Sequence, residues 1–79
     1  MKIIKVVSNK KEYMDLLLLA DEQENMINKY LEKGDMFLLM DNGVKAQRIV
    51  INEGGVYELK NIATILKFQN KGYGKMLIN

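Results

Sequence analysis

Gln69, Gly72 and Gly74 stand in the run Gln69-Asn70-Lys71-Gly72-Tyr73-Gly74-Lys75, directly after an apolar, strand-like stretch. Glycines at this spacing after a strand predict a tight loop that feeds the first turns of a helix. Such a loop aims several backbone N–H groups at one point, where a phosphate can sit, because unpaired N–H groups and the helix dipole both favour negative charge. The charge distribution agrees with an anionic ligand. Residues 59–79 carry Lys60, Lys67, Lys71 and Lys75 and no acid, whereas residues 1–58 carry eight basic and ten acidic side chains. That excess either meets an anion or is a solvated lysine face.

Two nucleotide-binding patterns share this vocabulary and fail on spacing. A P-loop ending in Gly74-Lys75 needs a first glycine where Gln69 stands and a Ser or Thr where Met76 stands. A dinucleotide fingerprint starting at Gly72 and Gly74 needs a third glycine at Leu77, and it belongs to a βαβ unit. Nucleic-acid binding is disfavoured as well, since the basic stretch is short and contains one aromatic residue, Tyr73.

The elements that must position the loop can be read upstream. Lys2–Val7 has the β-branched, apolar character of a first strand. Asn9 with Glu12 fits a capping box, predicting a helix over about Lys10–Ala20 with Tyr13, Met14, Leu17 and Leu18 on one face. Asp21 with Glu24 repeats the signal for a helix over about Glu22–Lys33, with Gly34 as its C-terminal stop. Met36–Met40 is a short apolar run suited to a strand buried on both faces. Asp41-Asn42-Gly43 predicts a hairpin turn and Val44–Ile51 the returning strand. Asn52-Glu53-Gly54-Gly55 predicts a second turn, and Val56–Thr64 a third strand of the meander. Within that strand Tyr57 and Leu59 set an odd-numbered apolar face, but the next apolar position is Ile62. One extra residue near Lys60–Asn61, a β-bulge, produces such a phase change, as would mere irregularity in a nine-residue strand.

Composition bounds the rest. With 79 residues, 48% apolar and 28% charged, the chain is one small globular domain. It has neither Cys nor His, so no disulfide and no zinc site of those ligands is expected. No apolar run approaches the roughly 18 residues of a membrane span, and the N-terminus lacks a signal-peptide core, which makes a cytoplasmic location the expectation. The methionines are read as core filler.

The surviving pattern, Gln-x-x-Gly-x-Gly after a strand, resembles the acyl-CoA motif of the GNAT-superfamily N-acetyltransferases, carried here by Gln69, Gly72 and Gly74. Tyr57–Thr64 resembles that family's bulged fourth strand. The element order β-α-α-β-β-β-loop-α resembles its N-terminal half, which makes residues 1–79 a single, incomplete α+β domain of partial GNAT type with a mainly antiparallel sheet.

The resemblance implies acetyl-CoA as cosubstrate, an unidentified amine as acceptor, and no metal. The pyrophosphate would lie against the backbone of Asn70, Lys71, Gly72, Tyr73, Gly74 and Lys75, next to Gln69. The pantetheine arm would run along Ile62, Ala63 and Thr64. Glu58 maps to a general base acting through water in several members, or is an exposed strand carboxylate. Leu66 stands where many members have Pro.

The family's second half, which supplies the other wall of the CoA cleft, has no counterpart here. The 79-residue chain is therefore expected to be inactive alone. Its last strand would have an open edge, through which it could pair as a homo-oligomer, in the simplest case a dimer. A non-catalytic, self-associating module is the alternative function.

Overall fold

A computed structural model describes residues 1–65 together with Phe68, Gln69, Lys71, Tyr73 and Met76. Strand β1, Lys2–Val6, leads into a 3₁₀ turn at Lys10–Tyr13 and helix α1, Met14–Leu17; helix α2 spans Glu24–Leu31. Strands β2 (Asp35–Met40), β3 (Val44–Glu53) and β4 (Val56–Thr64) follow. All pairings are antiparallel and the spatial order is β1-β2-β3-β4. The partial α+β fold with a mainly antiparallel sheet is therefore present as expected through β4. The expected final helix lies largely outside the described residues, of which Tyr73 and Met76 are helical.

Turn chemistry sets the meander. Asn42 and Gly43 take φ values of 55° and 104°, and Gly54 and Gly55 take 60° and 86°. These are conformations that Asn and Gly tolerate and that match the twist of the flanking strands. The second turn is tighter than expected: Glu53 pairs with Val56, so the loop is Gly54-Gly55 alone.

Alternation then sorts the faces. Met36 and Leu38 of β2, with Ile49 and Ile51 of β3, point to one face. There they pack with Leu17 of α1 and Ile27, Tyr30 and Leu31 of α2 to form the core. The opposite face holds a smaller cluster of Leu39 and Ala46, covered by Ile62 and Tyr73. No helix among the described residues is long and apolar enough to cross a membrane.

The helical segment departs from expectation at three points. Asn9 adopts a left-handed conformation and makes no side-chain cap, so the Asn9–Glu12 capping box does not form. The segment after it is a 3₁₀ turn joined to a single α-helical turn rather than a helix to Ala20. Asp21 is not the cap of α2 either: Gln23 holds that position in an extended conformation, and Asp21 Oδ1 accepts from the Gln23 N–H at 3.1 Å.

At the other end of α2, Gly34 is not left-handed. A Cβ there would lie 2.6 Å from Ile49 Cγ2 and 3.0 Å from the Tyr30 carbonyl oxygen, so the glycine allows close approach to β3. The cap comes from far away in sequence. The buried Lys10 ammonium donates to the carbonyls of Leu31 (3.0 Å), Glu32 (3.3 Å) and Gly34 (2.7 Å), satisfying the orphan end of α2 and its negative dipole.

Candidate acyl-donor site

The expected site residues Glu58 and Ile62–Thr64 lie on strand β4, which carries a bulge. Ile49 pairs with Asn61 and Val50 with Leu59, which leaves Lys60 as the extra, unpaired residue. The phase change in the sequence thus has its physical counterpart. Glu58, Lys60 and Asn61 all face the helices, and Leu59 and Ile62 share the other face. Ile62, Ala63 and Thr64 continue the ladder opposite Arg48, Gln47 and Ala46. Their outer edge has no strand partner among the described residues.

Glu58 is exposed and bonded to Lys60 at 2.9 Å. That hydrogen bond, with the carboxylate's charge, holds the Lys60 ammonium above its ordinary pKa. Glu58 also borders a hollow of about 140 Å³ with Ile51, Glu53 and Val56. A second groove, of about 230 Å³, lies between α2 and the β3–β4 hairpin, where Lys60 and Tyr30 meet Lys29, Lys33 and Glu53.

The described residues at the start of the glycine run, and Tyr73 within it, make specific contacts. Ile65 N–H donates to the Lys45 carbonyl at 2.9 Å, and Phe68 N–H to the Ile65 carbonyl at 2.8 Å. Gln69 Nε2 folds back to the Thr64 carbonyl at 3.3 Å, closing the base of the loop on the strand end. Lys45 is itself an extra residue, in β3 opposite the Leu39–Met40 step; its ammonium sits 4.0 Å from the Phe68 ring centroid. Tyr73 packs edge-on to Phe68 and donates its hydroxyl to Asp41 Oδ2 at 3.1 Å. That hydrogen bond raises the Tyr73 pKa. Lys71 is exposed. Asn70, Gly72, Gly74 and Lys75, the other four expected phosphate-loop residues, lie outside the described residues.

Behind the bulge is a buried polar network that sequence reasoning did not identify. Asn61, 3% exposed, donates through Nδ2 to the Leu17 carbonyl (3.1 Å) and to Tyr30 Oη (3.0 Å), and its Oδ1 accepts from Gln47 Nε2. Tyr30 in turn donates to Asp21 Oδ2 at 3.4 Å. Burial raises the Tyr30 pKa, the Asn61 hydrogen bond opposes the rise, and the Asp21 carboxylate adds to it. Gln47 Oε1 is buried without a donor among the described residues, a cost of about 1–3 kcal/mol. A signal existed: Gln47 interrupts the apolar 47-49-51 face of β3, and Asn61 stands at the phase change of β4.

No family model matches the chain. The uncharacterized N-acetyltransferase YvbK of Bacillus subtilis strain 168 is 35% identical over 69 residues, which are 85% of this chain and 44% of that protein. Among solved structures, a GNAT family acetyltransferase from Elizabethkingia anophelis with acetyl-CoA bound is 33% identical with a TM-score of 0.87; the match covers 98% of this chain and 52% of that one. A Bacillus subtilis acetyltransferase in complex with CoA is 29% identical with a TM-score of 0.85, over the same shares. An IAA acetyltransferase from Bacillus cereus ATCC 14579 is 29% identical with a TM-score of 0.82, covering 98% of this chain and 53% of that protein. The chain thus spans about half the length of the proteins it matches.

Proposed function

We propose, for a chain that belongs by sequence and fold to the GNAT superfamily of N-acetyltransferases, that it forms the acyl-donor half of an acetyl-CoA site and that the whole protein transfers acetyl to an amine. One observation carries this reading: 98% of the chain superposes on an acetyl-CoA-bound acetyltransferase at a TM-score of 0.87. The pyrophosphate is assigned to the backbone N–H groups of the Gln69–Lys75 run, with Gly72 and Gly74 leaving room for close approach and Lys71 and Lys75 adding charge. A phosphate there sets the direction of the pantetheine arm, back along Ile62–Thr64. The bulge and open edge leave main-chain groups of that segment for it to bond. The thioester would then arrive near Lys60, on the strand that carries Glu58. Glu58 is assigned as the base that draws a proton from the acceptor amine through water, so that the free amine attacks the thioester carbon and the CoA thiolate leaves. Its contact with the Lys60 ammonium at 2.9 Å fixes where that carboxylate stands on the helix-facing side of β4. We place this reaction in the cytoplasm.

Calorimetric titration with acetyl-CoA tests the reading, with Gly74→Asp as the control. Saturable binding that the aspartate weakens at least about tenfold is expected, since a carboxylate would meet the phosphates directly. Equal binding by both forms would place the phosphates elsewhere, and no binding by either would overturn the acyl-donor assignment.

A second reading has its own observation. Val56, Tyr57 and Leu59 on open-edged β4 are 69%, 70% and 47% exposed, a combination suited to pairing with a second copy of the strand. On this reading the chain self-associates through β4 and would occupy the edge that the pantetheine arm needs.

A further inference from the structure

The network behind the bulge closes into a ring, and its polarity is fully determined. The Leu17 carbonyl can only accept, which turns Asn61 Nδ2 toward it and commits the second amide hydrogen to Tyr30 Oη. With its oxygen accepting from Asn61, the Tyr30 hydroxyl directs its hydrogen to the Asp21 carboxylate, which can only accept. Asp21 returns to the start, because its own N–H donates to the Leu17 carbonyl at 3.3 Å. Asp21 Oδ1 meanwhile holds the Gln23 N–H. The ring therefore joins two places with different duties. One is the connection between α1 and α2, Leu18–Gln23. The other is the step in β4 where Lys60 is extruded and Ile62–Thr64 begins.

We propose that this ring couples the α1–α2 connection to the β4 bulge and makes Asn61 a positioning residue for acyl transfer, an inference that rests on the acyl-donor reading of β4. Asn61 follows the bulged residue directly, so its side chain decides how β4 leaves the bulge. The main-chain groups of Ile62–Thr64 inherit that direction. Nothing apolar could replace it, since an aliphatic side chain would leave the Leu17 carbonyl and Tyr30 hydroxyl without this donor. Conversely, a displacement of Leu18–Gln23 pulls on Asp21, Tyr30 and Asn61 in turn. The two segments respond together, and a ligand on one is felt by the other.

Amide hydrogen exchange by NMR on the full chain tests this, comparing wild type with Tyr30→Phe and Asp21→Ala, each with and without acetyl-CoA. Both substitutions open the ring at a point outside the sheet, and the first keeps the core volume. Without ligand, each variant is expected to speed exchange about fivefold or more at Ala20–Asp21 and, in step, at Lys60–Ile62, while Ile4 and Leu38 stay unchanged. Acceleration confined to the α1–α2 connection, or equal throughout the sheet, would overturn the coupling. With saturating acetyl-CoA, wild type is expected to slow exchange at Leu18–Gln23, and both variants to bind yet lose that slowing, a response that mere structural support would not produce. Slowing that persists in the variants would also overturn it. If wild type binds no acetyl-CoA, the acyl-donor assignment falls, and the unliganded exchange still decides the ring.

Discussion

Single side chains in this domain carry tasks that usually fall to longer elements. Lys10 ends α2 by occupying three carbonyls at once, and Gly34 matters for what it lacks. Gly34→Ala would set a Cβ 2.6 Å from a branched methyl of fully buried Ile49, with the Tyr30 carbonyl behind it. Neither neighbour can swing away, so unfolding in urea should show a loss of about 1–3 kcal/mol. Two tyrosines make stability sensitive to alkali. Burial at Tyr30, and the hydrogen bond to Asp41 at Tyr73, favour the neutral phenol in the folded state. A folded pKa above the unfolded value of 10.0 means that this contribution is complete below pH 10 and lost as pH rises through the folded pKa. The melting temperature should therefore fall above pH 10, and Tyr30→Phe should flatten part of that fall; an identical alkaline profile in the variant would contradict it.

At the scale of elements, β4 is the strand to which the proposed acyl-donor role is assigned. Its bulge was visible as a phase change in the sequence because a strand's side chains alternate, so one extra residue shifts every later apolar position by one. Deleting Lys60 would restore a continuous ladder while keeping Asn61 on the helix face and Ile62 on the other. The expected outcome is a folded protein whose affinity for acetyl-CoA falls by at least about tenfold, read by calorimetry beside a melting curve. Unchanged affinity would mean that the bulge does not shape the donor site. The helices were less legible. Capping patterns at Asn9 and Asp21 were present in sequence but unused: Asn9 is left-handed next to buried Lys10, and Asp21 holds the Gln23 N–H and the Tyr30 hydroxyl ahead of a helix that starts at Glu24. Tertiary contacts outweigh a cap contributing about 1 kcal/mol.

For the molecule as a whole, the uneven covering of the two sheet faces matters most. The helix face is closed by α1 and α2, while the described part of the other face leaves Ile3, Tyr57 and Leu59 exposed beside an open edge. Self-association through that edge should appear in light scattering as a mass that rises with concentration through the micromolar range, and Leu59→Lys should abolish the rise. A constant monomer mass would exclude this mode. If acetyl-CoA and a second copy both use the β4 edge, adding acetyl-CoA should lower the mass, which distinguishes competing uses of one surface from independent ones.

The sequence by itself determined the order of the elements along the chain, the two hairpin turns, the phase change in β4 and the glycine motif, because each is encoded over a few neighbouring residues. Alternation, positive-φ tolerance at Asn42, Gly43, Gly54 and Gly55, and glycine spacing after a strand are local properties of a chain. Only the tertiary structure decided that Lys10 caps α2, that Gly34 is a packing glycine, and that Leu17, Asp21, Tyr30 and Asn61 close one ring. Those partners lie up to 44 residues apart. Their hydrogen bonds gain their strength from burial, and burial is settled only after the helices have docked on the sheet.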